Sequence, residues 1–213
     1  STVESINEND ILFVNRFLID KNITPLILYE AEGSFVAQKL KVPAFMADKI
    51  EQFSTETFLN PRILSVDIET YMPQYKEIEP EKNPIIMIAL YANDFKKVFV
   101  WKHFKTELDY VEFVESEADL IEKFKAAVES YKPDILTGYF SDGFDLPYIK
   151  ARADKYKIKL DLGLDFSEIK IEQRREETAQ ITGLTHLDIF KFIRNIMSGS
   201  LRLDNYGLGR VSE

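Results

Sequence analysis

The chain contains no cysteine and only two histidines, His103 and His186, in 213 residues. Disulfides and thiolate metal sites are therefore excluded. Any bound metal must be held mainly by carboxylates, which favours Mg²⁺, Mn²⁺ or Ca²⁺ over zinc. The single tryptophan, Trp101, follows a predicted strand and reads as core. No run of eighteen apolar residues occurs, so no membrane span is expected. The opening Ser-Thr-Val-Glu-Ser lacks the basic-then-apolar form of a secretion signal, and a cytoplasmic setting is expected. Positive charge is also scarce: 27 Lys and Arg stand against 36 Asp and Glu, a formal net charge of −9. That balance argues against phosphate binding through arginine, unless divalent metal meets the phosphate instead. What is present, 45% apolar and 13% aromatic residues, is enough for a real core.

Hydrophobic periodicity divides the chain. Residues 11–22 carry helical spacing, with Asp10 as a candidate N-cap. Between 23 and 60 the pattern is weaker: short strands are predicted at 26–29 and 34–37 and a short helix at 44–53, with a boundary at Asn60-Pro61. From Arg62 the spacing predicts strands over 62–70, 84–92 and 95–101, the last two joined by a turn at Ala92-Asn93-Asp94. Ser116 is placed to cap a helix whose buried stripe is Leu120, Ile121, Phe124, Val128 and Tyr131, ended by Pro133. A strand at 134–139, a helix at 145–157, a hairpin within 166–185 with Arg174-Arg175-Glu176-Glu177 at its tip, and a strand at 185–190 leading into a helix complete the prediction. Three strands in meander, then helix, strand, helix, define an α/β domain with a mixed sheet.

Two segments carry candidate chemistry. In Asp67-Ile68-Glu69, positions i and i+2 of a strand project both carboxylates to one face while Ile68 packs behind. Two acids ending an apolar run are costly unless paired, hydrated or metal-bound, yet such tripeptides are common where strands emerge into solvent. In the second segment, residues 138–156, Asp145 opens a helix. It is either an N-cap or a carboxylate facing the neighbouring strand end. Phe144 and Tyr148 are either core or platforms for an unpaired base. Three carboxylates on two elements suit a phosphodiesterase with two divalent ions about 3.5–4 Å apart.

The order and spacing of these segments resemble the exonuclease domain of family B DNA polymerases, the archaeal enzymes especially. The resemblance runs through FVNRFLIDKNITP (13–25), ILSVDIET (63–70), PIIMIALYA (84–92), VFVWK (98–102), DILTGYFSDGFDLPYIKARA (134–153), THLDIFKFIR (185–194) and LDNYGLGRVSE (203–213). It implies a ribonuclease H-like fold over 61–213, truncated at its C-terminal end, preceded over 1–60 by a remnant of the polymerase N-terminal domain plus linker. It places catalytic metal ligands for Mg²⁺ or Mn²⁺ at Asp67, Glu69 and Asp145. The implied substrate is the 3′ end of single-stranded DNA on a primer-template, the implied partners are the remaining polymerase domains, and the implied setting is nucleoid-associated. Phe140, Phe144, Tyr148, Lys150 and Arg152 are the candidates for DNA contact, with a solvated helix face as the alternative for the basic pair.

Two departures from the family pattern stand out. The second motif usually carries asparagine where this chain has Phe140. The third motif, Tyr-x-x-x-Asp, is absent from these residues, and no His-x-x-x-x-Asp replaces it, so the expected two-metal site is incomplete here. Asp188 in HLDIF reads as a structural acceptor of nearby backbone donors rather than as the missing ligand. An alternative function follows, an exonuclease fold that has lost catalysis and serves DNA binding or scaffolding.

Overall fold

In the computed structural model, which describes residues 11–57, 60–72, 78–173, 176–201 and 203–212, strand pairing rather than local helical spacing decides residues 27–57. The chain divides into two compact units, Ser1–Gln38 with Pro43–Asn60, and Lys39–Val42 with Pro61–Glu213. The first unit holds α1 (Phe13–Asp20) and an antiparallel pair, β1 (Ile27–Val36) and β2 (Ala44–Thr57). The helix predicted at 44–53 is thus a strand. The partner β1 lies just upstream, and cross-strand contacts such as Phe35 edge-on to Phe45 at 5.1 Å favour extended backbone over a short apolar spacing. Leu12, not Asp10, stands at the α1 cap position, and Asp10 lies outside the described residues.

The second unit is built on a six-stranded mixed sheet. Its strands are β3 (Ile63–Thr70), β4 (Ile85–Ala92), β5 (Phe95–Val100), β6 (Val111–Phe113), β7 (Ile135–Gly138) and β10 (Thr185–Asp188). They lie in the order β10-β7-β3-β4-β5-β6. β3, β4 and β5 form the antiparallel meander that the sequence predicts, whereas β7 joins β3, and β10 joins β7, in parallel. The three-residue β6 is too short to announce itself by periodicity. A separate hairpin, β8 (Lys170–Gln173) with β9 (Glu177–Gln180), falls within the predicted hairpin, and its Arg174-Arg175 tip lies outside the described residues.

Helices cover the sheet. α2 (Glu117–Tyr131) starts at Ser116, whose hydroxyl accepts the Asp119 N–H at 3.2 Å. Leu120, Ile121, Phe124, Val128 and Tyr131 are all buried, as their helical spacing predicts. The helix stops at Lys132 in the left-handed conformation, φ 54°, directly before Pro133. α3 (Asp145–Tyr156) buries Leu146, Ile149 and Ala153 beside Leu64, Val66 and Ile68 of β3 in one continuous core. After β10 the chain enters α4 (Ile189–Phe192), a π-helical turn (Ile193–Met197), α5 (Ser198–Leu201) and, further on, α6 (Leu208–Val211). Among the described residues no helix is long and apolar enough to cross a membrane.

Candidate functional site

On β3 the pleat buries Leu64, Val66 and Ile68 and leaves Asp67 and Glu69 exposed on the opposite face. The parallel pairing of β3 with β7 ends at Ser65 opposite Thr137. Beyond it β7 turns away, and the Ile68 N–H, between the two acids, donates instead to Asp145 Oδ1 at 3.0 Å. A side-chain carboxylate therefore continues the ladder where the strand has left. Asp145 is the first residue of α3; the cap position before it is Phe144, whose side chain makes no capping bond.

The electrostatics of this corner are those of crowded acids. Asp145 is 3% exposed, and burial, reinforced by the negative charge of Asp67, pushes its carboxyl up to about 7 against the opposing Ile68 hydrogen bond. Loss of hydration raises the Asp67 carboxyl as well. Two such groups attract a hard cation in kind, because every donor is a carboxylate oxygen. In number they fall short: among the described residues no three His, Cys, Asp or Glu side chains converge to hold a metal ion. The donor set suits a divalent ion, and its closure requires a further ligand or a movement of Glu69.

The turn between β7 and α3 is fixed from the other side. Asp188, the last residue of β10, accepts the N–H groups of Phe140 at 2.9 Å and Phe190 at 2.9 Å through Oδ1, and that of Asp142 at 3.1 Å through Oδ2. Asp188 is the structural acceptor expected from the sequence. The buried Asp142 in turn accepts the Ala179 N–H at 2.7 Å, meets Lys191 Nζ at 2.7 Å and lies 3.2 Å from His186 Nδ1. Burial would raise the Asp142 carboxyl, but contacts with His186, Lys191 and the Ala179 amide together lower it to about 2. Nε2 of His186 lies 2.9 Å from the Ser141 hydroxyl. The tightness of the turn requires Gly138, where a Cβ would lie 2.9 Å from the Val66 carbonyl and 2.7 Å from Ser141 Cβ.

The DNA-contact candidates separate by burial. Phe140 is 45% exposed and stands edge-on to Phe190 at 5.2 Å; Phe144 is half-buried against the core. Lys150 pairs with Asp154 at 2.5 Å and Glu168 at 3.2 Å. Tyr148 is core: it is 3% exposed and its phenol donates to the Asn83 carbonyl at 2.7 Å. Arg152, expected on the exposed side of its helix, is instead 2% exposed. Its guanidinium grips Glu117 through Nε at 2.6 Å and through Nη2, and donates to the Pro80 carbonyl at 2.8 Å. Glu117, which carries no motif, also accepts the Ile85 N–H at 2.8 Å and the Tyr156 hydroxyl at 2.8 Å. Its only sequence signal is an acid at the head of an otherwise apolar helix stripe.

A mixed β-sheet flanked by helices, with acids clustered at the end of a central strand, is the ribonuclease H-like exonuclease architecture. The structure is similar to that of the family B DNA polymerase from the hyperthermophilic archaeon Pyrobaculum calidifontis, with a TM-score of 0.72 and 22% identity over 89% of this chain and 23% of that one. A model of the DNA polymerase family B exonuclease domain matches residues 4–211. The chain belongs to that family. Among curated relatives, a DNA polymerase of Pyrococcus glycovorans is 36% identical over 212 residues, 99% of this chain and 23% of that sequence. A DNA polymerase of Methanocaldococcus jannaschii is 32% identical, covering 98% of this chain and 11% of that sequence. The chain thus spans less than a quarter of the length of these relatives. A divalent metal is general to exonuclease domains of this kind.

The family frame also gives Phe140 a physical meaning. Its φ of 63° lies in the left-handed region. A bulky side chain pays about 1–2 kcal/mol there, whereas an asparagine, the residue expected at this place from the sequence resemblance, adopts it more readily.

Proposed function

We propose that this chain is the 3′→5′ proofreading exonuclease region of a family B DNA-directed DNA polymerase, hydrolysing the terminal phosphodiester of single-stranded or frayed primer DNA. The observation that supports this reading is the 3.0 Å bond from Ile68 N–H to Asp145 Oδ1, which ties a third carboxylate to the strand residue that separates Asp67 from Glu69 in the sequence. Asp67, Glu69 and Asp145 would hold Mg²⁺ or Mn²⁺. Bound metal would supply the positive field that an acidic chain lacks and would lower the pKa of the attacking water. The chain's own contribution is to orient the acids; without metal, burial and the charge of Asp67 hold the Asp145 carboxyl at about 7, so a cation bound there would displace a proton and bind more tightly as pH rises. Phe140 and Phe144 are proposed to stack on bases of the unpaired end, and Lys150 to approach its backbone. Tyr148 and Arg152 serve by fixing α3. The partners of the reading are primer-template DNA and the remaining domains of a longer polymerase.

The test is cleavage of a 3′-labelled single strand in Mg²⁺ or Mn²⁺. Asp67→Ala and Asp145→Ala are each expected to slow release of deoxynucleoside 5′-monophosphate by about 10²-fold or more. Unchanged cleavage in both variants overturns the reading. Phe140 in place of asparagine, together with carboxylates that do not close on a metal, favours a second reading, a DNA-binding module without catalysis. Strand binding with no cleavage by a longer chain that contains Tyr-x-x-x-Asp decides for it.

A further inference from the structure

Two carboxylates flank the turn 139–144, one at each end. On one side Asp145 Oδ1 caps the Ile68 amide of β3. On the other, Asp188 gathers the amides of Phe140, Asp142 and Phe190. In register, Asp188 lies opposite Gly138, the last residue of β7, so its carboxylate starts where the β7–β10 ladder stops. Each carboxylate thus replaces a missing strand on its own side of the same turn. The turn between them contains one strained residue, Phe140, whose ring closes over Gly143, where a Cβ would meet the Phe140 ring at 2.5 Å. Backbone strain of this kind persists only when surrounding bonds over-determine it. The bonds that do so here come from Asp188 and, through Asp142, from Ala179 and Lys191.

We propose that Asp188 is a positioning residue for Asp145: by anchoring the Phe140 and Asp142 amides it fixes the turn that delivers the Asp145 carboxylate to Ile68. The exonuclease reading enters only through the meaning of Asp145 as a metal ligand. The contacts of Asp188 that carry the proposal are backbone amides, those of Phe140, Asp142 and Phe190.

Amide hydrogen exchange by NMR on the whole chain in metal-free buffer tests this without activity. Asp188→Asn keeps one acceptor for Phe140 and Phe190 but turns an NH₂ donor toward the Asp142 N–H, donor against donor. The expected result is faster exchange at Phe140, at Asp142 and, across the turn, at Ile68, by about tenfold or more. Thr137→Val is the control. It removes the 2.7 Å bond from the Thr137 hydroxyl to the Leu187 carbonyl on the same β7–β10 seam without touching the turn amides. Positioning requires Ile68 to respond to Asp188→Asn and not to Thr137→Val. An Ile68 amide that stays protected in Asp188→Asn, or that opens equally in both variants, overturns the proposal. If Asp188→Asn does not fold, Asp188→Glu, which keeps an acceptor-only carboxylate displaced by one methylene, takes its place. Faster exchange at Ile68 in Asp188→Glu then supports positioning, and full protection there overturns it. Failure of the exonuclease reading would leave these exchange rates as they are, so the two are distinguishable.

Discussion

Replacing Arg152 by methionine keeps much of the side chain's bulk and removes its charge, which isolates the worth of the guanidinium. The Glu117 carboxylate would remain buried with two of its donors, the Ile85 N–H and the Tyr156 hydroxyl, and would lose both guanidinium contacts. The Pro80 carbonyl would lose a donor as well. Breaking one side of a buried ion pair costs about 3–5 kcal/mol, and the two surviving donors place this case at the lower end, about 3 kcal/mol. For a unit of this size that corresponds to a fall in Tm of about 6–12 °C. Urea denaturation followed by fluorescence is well suited to the measurement, because Trp101 donates its indole N–H to the Ile85 carbonyl at 2.6 Å, next to the pair. Adding Glu117→Gln to Arg152→Met should recover at least about 1 kcal/mol, a coupling visible in a double-mutant cycle. A shift below about 1 kcal/mol in Arg152→Met refutes the reasoning. So does an unchanged midpoint with lost affinity for single strands, which would return Arg152 to the DNA.

Asp142, held at about 2, contributes stability that is present above the ordinary carboxylate value and lost as pH falls from about 4 to about 2. An acid titration of unfolding should show that loss, about 2 kcal/mol in all, and Asp142→Asn should flatten it; an identical slope in the variant counts against the network. Lys132 ends α2 at φ 54°, a conformation that costs a residue with a Cβ and that glycine adopts freely. Lys132→Gly is therefore expected to raise stability by about 1 kcal/mol in thermal unfolding, and destabilisation would show that the lysine side chain matters more than its backbone.

What the sequence made legible follows from the range of each signal. The α2 stripe and the apolar alternation of β3 are local periodicities, and both appear in the structure where the spacing places them. The common face of Asp67 and Glu69 follows from the strand period alone. Arg152 was not legible in this way, because its partner Glu117 lies 35 residues away on another helix, and a helical wheel knows nothing of what packs against it. The strand β2 hid for a similar reason, since its extended form depends on β1. Asp142 lies in the second motif but was given no role there, because its environment draws on β9, β10 and α4 together. Asp188 was legible in kind, as a structural acceptor, but the identity of its three amides needed the fold.

The bond between Ile68 and Asp145 spans 77 residues of chain. The β3–β4–β5 meander can assemble from neighbours, with short loops to close, but this bond waits until α2 has crossed over and β7 has docked beside β3. Until then the two acids at opposite ends of the crossover are too far apart to repel each other. The mutual repulsion of Asp67 and Asp145 is thus a property of the closed crossover, absent from the meander alone, and the hydrophobic core that the crossover completes must overcome it.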